Sequence, residues 1–291
     1  MPRTADLLLT ALAPAIWGST YFVTTEFLPQ GYPVTLAVLR ALPAGVLLLL
    51  LVRRMPPRDW LARVFTLGAL NFAVFWVLLF VAAYRLPGGV AATLGSVQAL
   101  LVIFLARGWL GTPIAALSVA AALAGAGGVA LLLLRPGAGF DPLGLMAGIG
   151  GAFSMAAGTV LSRKWQPPVP PLAFTAWQLT AGGLLLVPVA LALEPPLPAL
   201  DARNLGGLLY LGLVGAALTY ALWFRGVARI EPAAVSLLGF MSPVTAVSLG
   251  WLFLGQSLTP LQIAGGVIVL GSVWLGQSAP RGPAHRPGMT R

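Results

Sequence analysis

Apolar runs long enough to cross a bilayer recur along this whole chain, and they decide what it can fold into. A membrane-spanning helix needs about 20 mostly apolar residues. Such runs fall near 7–27, 34–52, 62–84, 88–107, 113–134, 142–163, 171–193, 203–224, 232–254 and 259–277. Between them lie LPQGYP, RRMPPRDW, RLPGG, RGWLGTP, RPGAGFDP, SRKWQPPVPP, EPPLPALDAR, ARIEP and GQSLTP, whose Pro, Gly and charged residues are loop punctuation. Inside hydrocarbon every backbone N–H must be paired within its own segment, so the runs are expected as α-helices. Only 8% of residues are charged, against about 25% in soluble domains. The first run, from Leu7 to Glu26, is too long for the core of a signal peptide and reads as a span.

The charges then orient the chain. With the N-terminus in the cytoplasm, thirteen of the 17 Arg and Lys fall on the cytoplasmic side. Only Arg85, Arg135 and Arg203 fall opposite, and Arg40 lies within a span. Cytoplasmic loops carry the excess of basic residues, so both termini are expected inside. The net charge of +10 is therefore a topology signal, and no nucleic-acid partner is expected. There is no cysteine, and the one histidine, His285, sits in a polar tail over 279–291. Disulfides, thiolate chemistry, histidine metal sites and cofactors are thus not expected.

Self-similarity divides the chain in two. A shift of 144 residues pairs Leu67-Gly68 with Leu211-Gly212, Arg85 with Arg229, Leu94-Gly95 with Leu238-Gly239, Leu110-Gly111 with Leu254-Gly255, and Gly127 with Gly271. A shift of 138 pairs Gly45 with Gly183 and Arg40 with Gln178. Two repeats follow, 1–137 and 138–278, with five spans each. An odd span count inverts the second repeat in the membrane, an arrangement common in transporters. The fold class is all-α integral membrane: ten helices as two inverted five-helix repeats.

Particular stretches resemble the EamA type of the drug/metabolite transporter superfamily. They are APAIWGSTYFV in span 1 and LAVLRALPAGVLLLL in span 2, with Arg40 at the family's arginine. The stretch GLVGAALTYALWFRGVARIEPAAVSLLGFMSPVTAVSLGWLFLGQSLTPLQIAGGVIVLG is similar to the family's pattern across spans 8 to 10. Gln256 stands where the family commonly has Glu, and Gln98-Ala99 where the first repeat would have Ser-Pro. The neutral, aromatic-rich interior resembles bacterial amino-acid exporters of the YddG type, which implies export across the inner membrane.

Polar and aromatic residues inside spans are the candidates for solute contact. Trp17, Thr20 and Tyr21 share a face of span 1 with Thr24. Asn71 and Phe75 share one in span 3 with Leu78. Trp177 and Gln178 are offered by span 7, Tyr220 and Trp223 by span 8 beside Thr219, and Ser242 by span 9. Arg40 is expected to form a structural pair with Glu26 or to snorkel to the interface, with binding of a substrate carboxylate or gating of the outer mouth as the functional alternative. Trp60, Trp109, Trp165 and Trp274 read as interfacial belt residues. Pro14, Pro43, Pro188 and Pro243 mark possible kinks. A small-residue stripe, Gly144, Gly148, Ala152 and Ala156, reads as close packing within one protomer, so a monomer or weak homodimer is expected.

All seven acids lie at span ends or in loops, which argues against a dedicated proton antiporter. The sequence contains no HExxH, GxSxG or P-loop, so an intramembrane enzyme is disfavoured. The expected function is export of small neutral solutes, amino acids first. A sugar-phosphate, nucleotide-sugar or drug/cation exchanger is the alternative.

Overall fold

The computed structural model describes residues 2–86, 88–133 and 141–278. The polar tail, His285 and Arg135 lie outside them, as do the side chains of Arg3 and Tyr21. Among the described residues there are ten helices long and apolar enough to cross a membrane, and no strand. They are α1 (Thr4–Phe27), α2 (Pro33–Val52), α3 (Arg58–Arg85), α4 (Val90–Leu110), α5 (Ala116–Leu133), α6 (Pro142–Lys164), α7 (Pro171–Leu193), α8 (Ala202–Arg229), α9 (Pro232–Phe253) and α10 (Pro260–Gln277). Proline opens α2, α6, α7, α9 and α10, where its missing N–H is one the helix could not pair. Asp141 caps α6, and capping boxes start α8 (Asp201 with Asn204) and α10 (Thr259 with Gln262).

Four helices depart from regular geometry, and they do so in matched pairs. α3 contains a π-helical stretch at Ala69–Ala73 and α8 one at Tyr210–Leu218. The 144-residue shift lays the first inside the second. α4 breaks at Val97 and α9 at Gly239–Phe240, each through a tight i→i−3 turn. In α9 the break precedes Pro243, whose ring cannot continue a helix behind it. In α4 the equivalent residue is Ala99, and the break persists without a proline. Gly111 and Gly255, 144 apart, end α4 and α9 with φ of +71° and +64°, a conformation open to glycine.

The most extensive helix pairings map onto one another when each helix is exchanged for the one five places on. α2 packs on α7 and α5 on α10; α3–α6 matches α8–α1, α4–α6 matches α9–α1, and α3–α7 matches α8–α2. Glycines let the self-paired helices touch. A methyl group on Gly45 would meet the Thr180 nitrogen at 2.5 Å, and one on Gly183 the Leu42 backbone at 2.9 Å. Thr180 is Leu42 shifted by 138, so the contact is reciprocal. The ion pairs agree: Arg85–Asp141 at 3.4 Å joins α3 to α6, and Arg229–Asp6 at 3.3 Å joins α8 to α1. The stripe Gly144, Gly148, Ala152 is turned inward at least in part, with Gly144 against Leu86 and Gly148 against Leu94.

The reciprocal contact predicts matched damage. Gly45→Val and Gly183→Val should each destabilise the fold by about 1–3 kcal/mol, as forced overpacking does. Gly127→Ala, which meets nothing within 4 Å, should leave thermal unfolding in detergent unchanged.

Candidate functional site

An aromatic cluster fills the seam between α1, α3 and α8. Trp17 lies 4.9 Å from Tyr220 and 5.3 Å from Trp223, between ring centroids. Phe72 meets Tyr220 edge-on at 4.7 Å and Trp76 at 5.5 Å, and Tyr220 stacks on Phe224 at 6.0 Å. Tyr220, Trp223, Phe72, Trp76 and Phe224 are all buried, while Trp17 is half-buried. Such tilted and edge-on pairings add to what burial alone contributes.

Arg40 meets this cluster from α2. Its guanidinium lies 5.4 Å over the Trp76 ring and donates to the Gly215 carbonyl at 2.6 Å. Thr219 donates to the same carbonyl at 2.8 Å and accepts from the Trp17 indole at 2.9 Å. Gly215 lies in the π-helical stretch of α8, where the normal ladder is displaced and a carbonyl becomes available to side chains. A cation inside a membrane needs such an acceptor. The expected Arg40–Glu26 pair does not form: Glu26 instead lies 3.9 Å from Arg203, toward the loop ends.

A polar group flanks the seam on the other side. Asn71 donates to Gln178 Oε1 at 2.8 Å and to Ser162 at 3.1 Å, and Ser162 donates to Gln178 Oε1 at 3.2 Å. All three are buried. Gly158 makes room for Asn71, since a side chain there would strike the Asn71 amide. Several buried polar atoms around the seam have no hydrogen-bond partner among the described residues: Asn71 Oδ1, Gln178 Nε2, Thr159 Oγ1, Thr20 Oγ1 and Trp223 Nε1. Buried polar groups are normally satisfied, so these are free to serve a solute or water.

A cavity of about 50 Å³ opens beside this group, lined by Ser162, Gln166, Val169, Phe174, Phe224 and Val227 among others. It lies at the ends of α6, α7 and α8 that carry Arg163, Lys164, Arg225 and Arg229. That is room for a water molecule, not for a metabolite.

The expected site residues divide accordingly. Trp17, Tyr220 and Trp223 come together, and Asn71 meets Gln178. Thr20 follows one turn from Trp17 on α1, while the Tyr21 side chain lies outside the described residues. Ser242 is half-buried just after the α9 break, its carbonyl against Gly18. Trp177 turns away: its indole donates to the Arg54 carbonyl at 2.7 Å and its ring packs with Val64, Leu67 and Phe174. It pins α7 to the α2–α3 connection. Phe75 is half-buried and packs against the core that holds Phe72, Trp76, Tyr220 and Trp223. Phe72 and Trp76, which the sequence reading did not single out, contribute rings to the seam. The repeat could have found one of them, because Trp76 is Tyr220 shifted by 144.

The Trp17–Thr219 bond should be detectable as coupling. In a double-mutant cycle with Trp17→Phe and Thr219→Val, unfolding should show an interaction energy of about 0.6 kcal/mol, the average for hydrogen bonds between membrane helices.

Comparison with known proteins agrees with this architecture. The sequence profile of the EamA-like transporter family matches residues 4–134 and again 142–276. Protein PecM of Dickeya dadantii (strain 3937) is 47% identical over 263 residues, covering 90% of this chain and 88% of that protein. The uncharacterized inner membrane transporter YedA of Escherichia coli (strain K12) is 31% identical over 270 residues, covering 89% and 86%. One solved structure superposes with a TM-score of 0.80 at 20% identity over 94% of this chain and 97% of its own, a similarity of fold. With two profile matches covering nearly all of its ten apolar helices, the chain is a membrane protein of the EamA-like transporter family.

Proposed function

We propose that this protein exports small neutral or zwitterionic, partly apolar solutes across the cell inner membrane, amino acids first among them. Its two halves, 1–137 and 138–278, are inverted repeats with both termini in the cytoplasm. They open alternately around the seam. The supporting observation is the aromatic cluster of Trp17, Phe72, Trp76, Tyr220 and Trp223 with the Arg40 guanidinium over Trp76. Small-molecule sites pair apolar walls with a few placed polar groups. Here the walls are aromatic, the Arg40 guanidinium borders them, and Thr20 and Trp223 carry buried polar atoms with no hydrogen-bond partner among the described residues. One of the related proteins named above, YedA, is described as an inner membrane transporter, which fits this setting.

No carboxylate belongs to the seam, as the seven acids all lie at span ends or in loops. Flux is therefore facilitated or weakly coupled, since proton relays in membranes use buried acids. Transport rather than intramembrane catalysis is the activity, carried by a monomer or weak homodimer. A phosphate-bearing solute fits less well, because Arg40 is the one cation well inside a span, the others lying near span ends.

Counterflow in proteoliposomes of purified protein tests this, using labelled aromatic and apolar amino acids, a polyamine and a sugar phosphate. Saturable exchange of the amino acids is expected, reduced about tenfold in Trp17→Ala and Tyr220→Ala, with their loss of aromatic contacts. Exchange of the polyamine or sugar phosphate alone would reject the solute class and the site.

A further inference from the structure

We infer that Gln178 and Arg40 are paired gate residues. Gln178 with Asn71 closes the passage toward the cytoplasmic side, and Arg40 with the Gly215 carbonyl closes it toward the opposite side. The inference rests on the transport reading above.

The two residues are equivalent by position. Arg40 and Gln178 are 138 apart, and each stands seven residues past the proline that opens its helix, Pro33 in α2 and Pro171 in α7. At 1.5 Å per residue, each is roughly 10 Å deep from its own end. Inverted halves put those ends on opposite faces. Each residue also reaches the same feature of the other half, a π-helical stretch: Gln178 meets Asn71 within Ala69–Ala73, and Arg40 meets Gly215 within Tyr210–Leu218. Asn71 and Gly215 are themselves 144 apart. One contact is therefore the repeat image of the other, although the sequences differ.

Both contacts are closed here, at 2.8 and 2.6 Å. Ser162 lines the cavity and donates to the same Gln178 oxygen, so the Gln178 contact lies one side chain from the cavity. The equivalent place on the other face is filled by Val23, Leu28, Leu36 and Leu211. Chemistry explains the difference. An amide–amide hydrogen bond holds more weakly than a guanidinium on a carbonyl. The neutral gate sits beside the cavity and the charged gate under the packed cluster. A π-helical turn can return to α geometry by moving its extra residue, which would carry Asn71 or the Gly215 carbonyl off its partner.

The chain has no cysteine, so single cysteines report without background. Phe174 and Leu36 are matched reporters: they are 138 apart, with exposures of 6% and 7%. The rate of modification by a water-soluble maleimide is read in purified full-length protein without solute. Gln178→Leu and Asn71→Leu should each speed modification of the Phe174→Cys protein about fivefold and leave Leu36→Cys unchanged. Arg40→Leu should speed modification of Leu36→Cys about tenfold and leave Phe174→Cys unchanged. Equal acceleration at both reporters in any of these variants would mean general loosening and overturn the inference, as would no change at either. Because no solute enters the measurement, failure here is separate from failure of the counterflow experiment.

Discussion

Hydrocarbon tolerates a cation or a bare carbonyl only when each is answered by the protein. The contact between Arg40 and the Gly215 carbonyl meets both demands at once. The π-helical stretch of α8 displaces that carbonyl from its ladder, and Arg40 and Thr219 take it up. Thr219 then holds the Trp17 indole, which sets the ring against Tyr220 and Trp223. One irregular turn thus ties α2, α8 and α1 together and positions the aromatic seam. On the other side Asn71, in the π-helical stretch of α3, ties α3 to α7 and α6 through Gln178 and Ser162.

Symmetry gives these ties their meaning. Glycine contacts join α2 to α7 and α5 to α10, two of the pairs that map onto themselves. Gly128 and Gly265 bring the α5 and α10 backbones together much as Gly45 and Gly183 do for α2 and α7. The α3–α6, α4–α6 and α3–α7 pairings have images in α8–α1, α9–α1 and α8–α2, down to the ion pairs of Arg85 and Arg229. What breaks the symmetry is side-chain chemistry: a charged contact in one place, an amide contact in its image. Two similar energy wells separated by a small chemical bias are what a device with two alternative openings requires.

The ten spans were legible because bilayer thickness sets helix length and loops carry Pro, Gly and Arg. The glycine pairs were legible because a repeat keeps residues that close packing demands. Trp17, Tyr220 and Trp223 could be placed by helical periodicity, since the stretch from Thr219 to Arg229 is regular α-helix. Phe72 and Trp76 were missed because the α3 stretch that holds Phe72 is not regular α-helix. Counting at 3.6 residues per turn fails across a π-helical stretch, and sequence carries no plain mark of one. Trp177 and Gln178 are neighbours in sequence, yet point 100° apart on a helix, so only Gln178 reaches the seam. Arg40 looked toward Glu26 because acids were its obvious partners; a backbone carbonyl freed by irregular geometry has no signature in sequence.

The central claim, that equivalent halves open in turn, is tested most directly by spin-label distances. One pair of labels, Gln166→Cys with Ala228→Cys, spans the cavity, both residues lining it. The image pair, Leu28→Cys with Tyr84→Cys, lies at the same shifts of 138 and 144 on the opposite face. A solute shown to exchange in proteoliposomes is added at saturation. The account predicts two distance populations at each pair, with the longer one growing at one face as it shrinks at the other. Single populations unmoved by the solute, or both faces widening together, would contradict it.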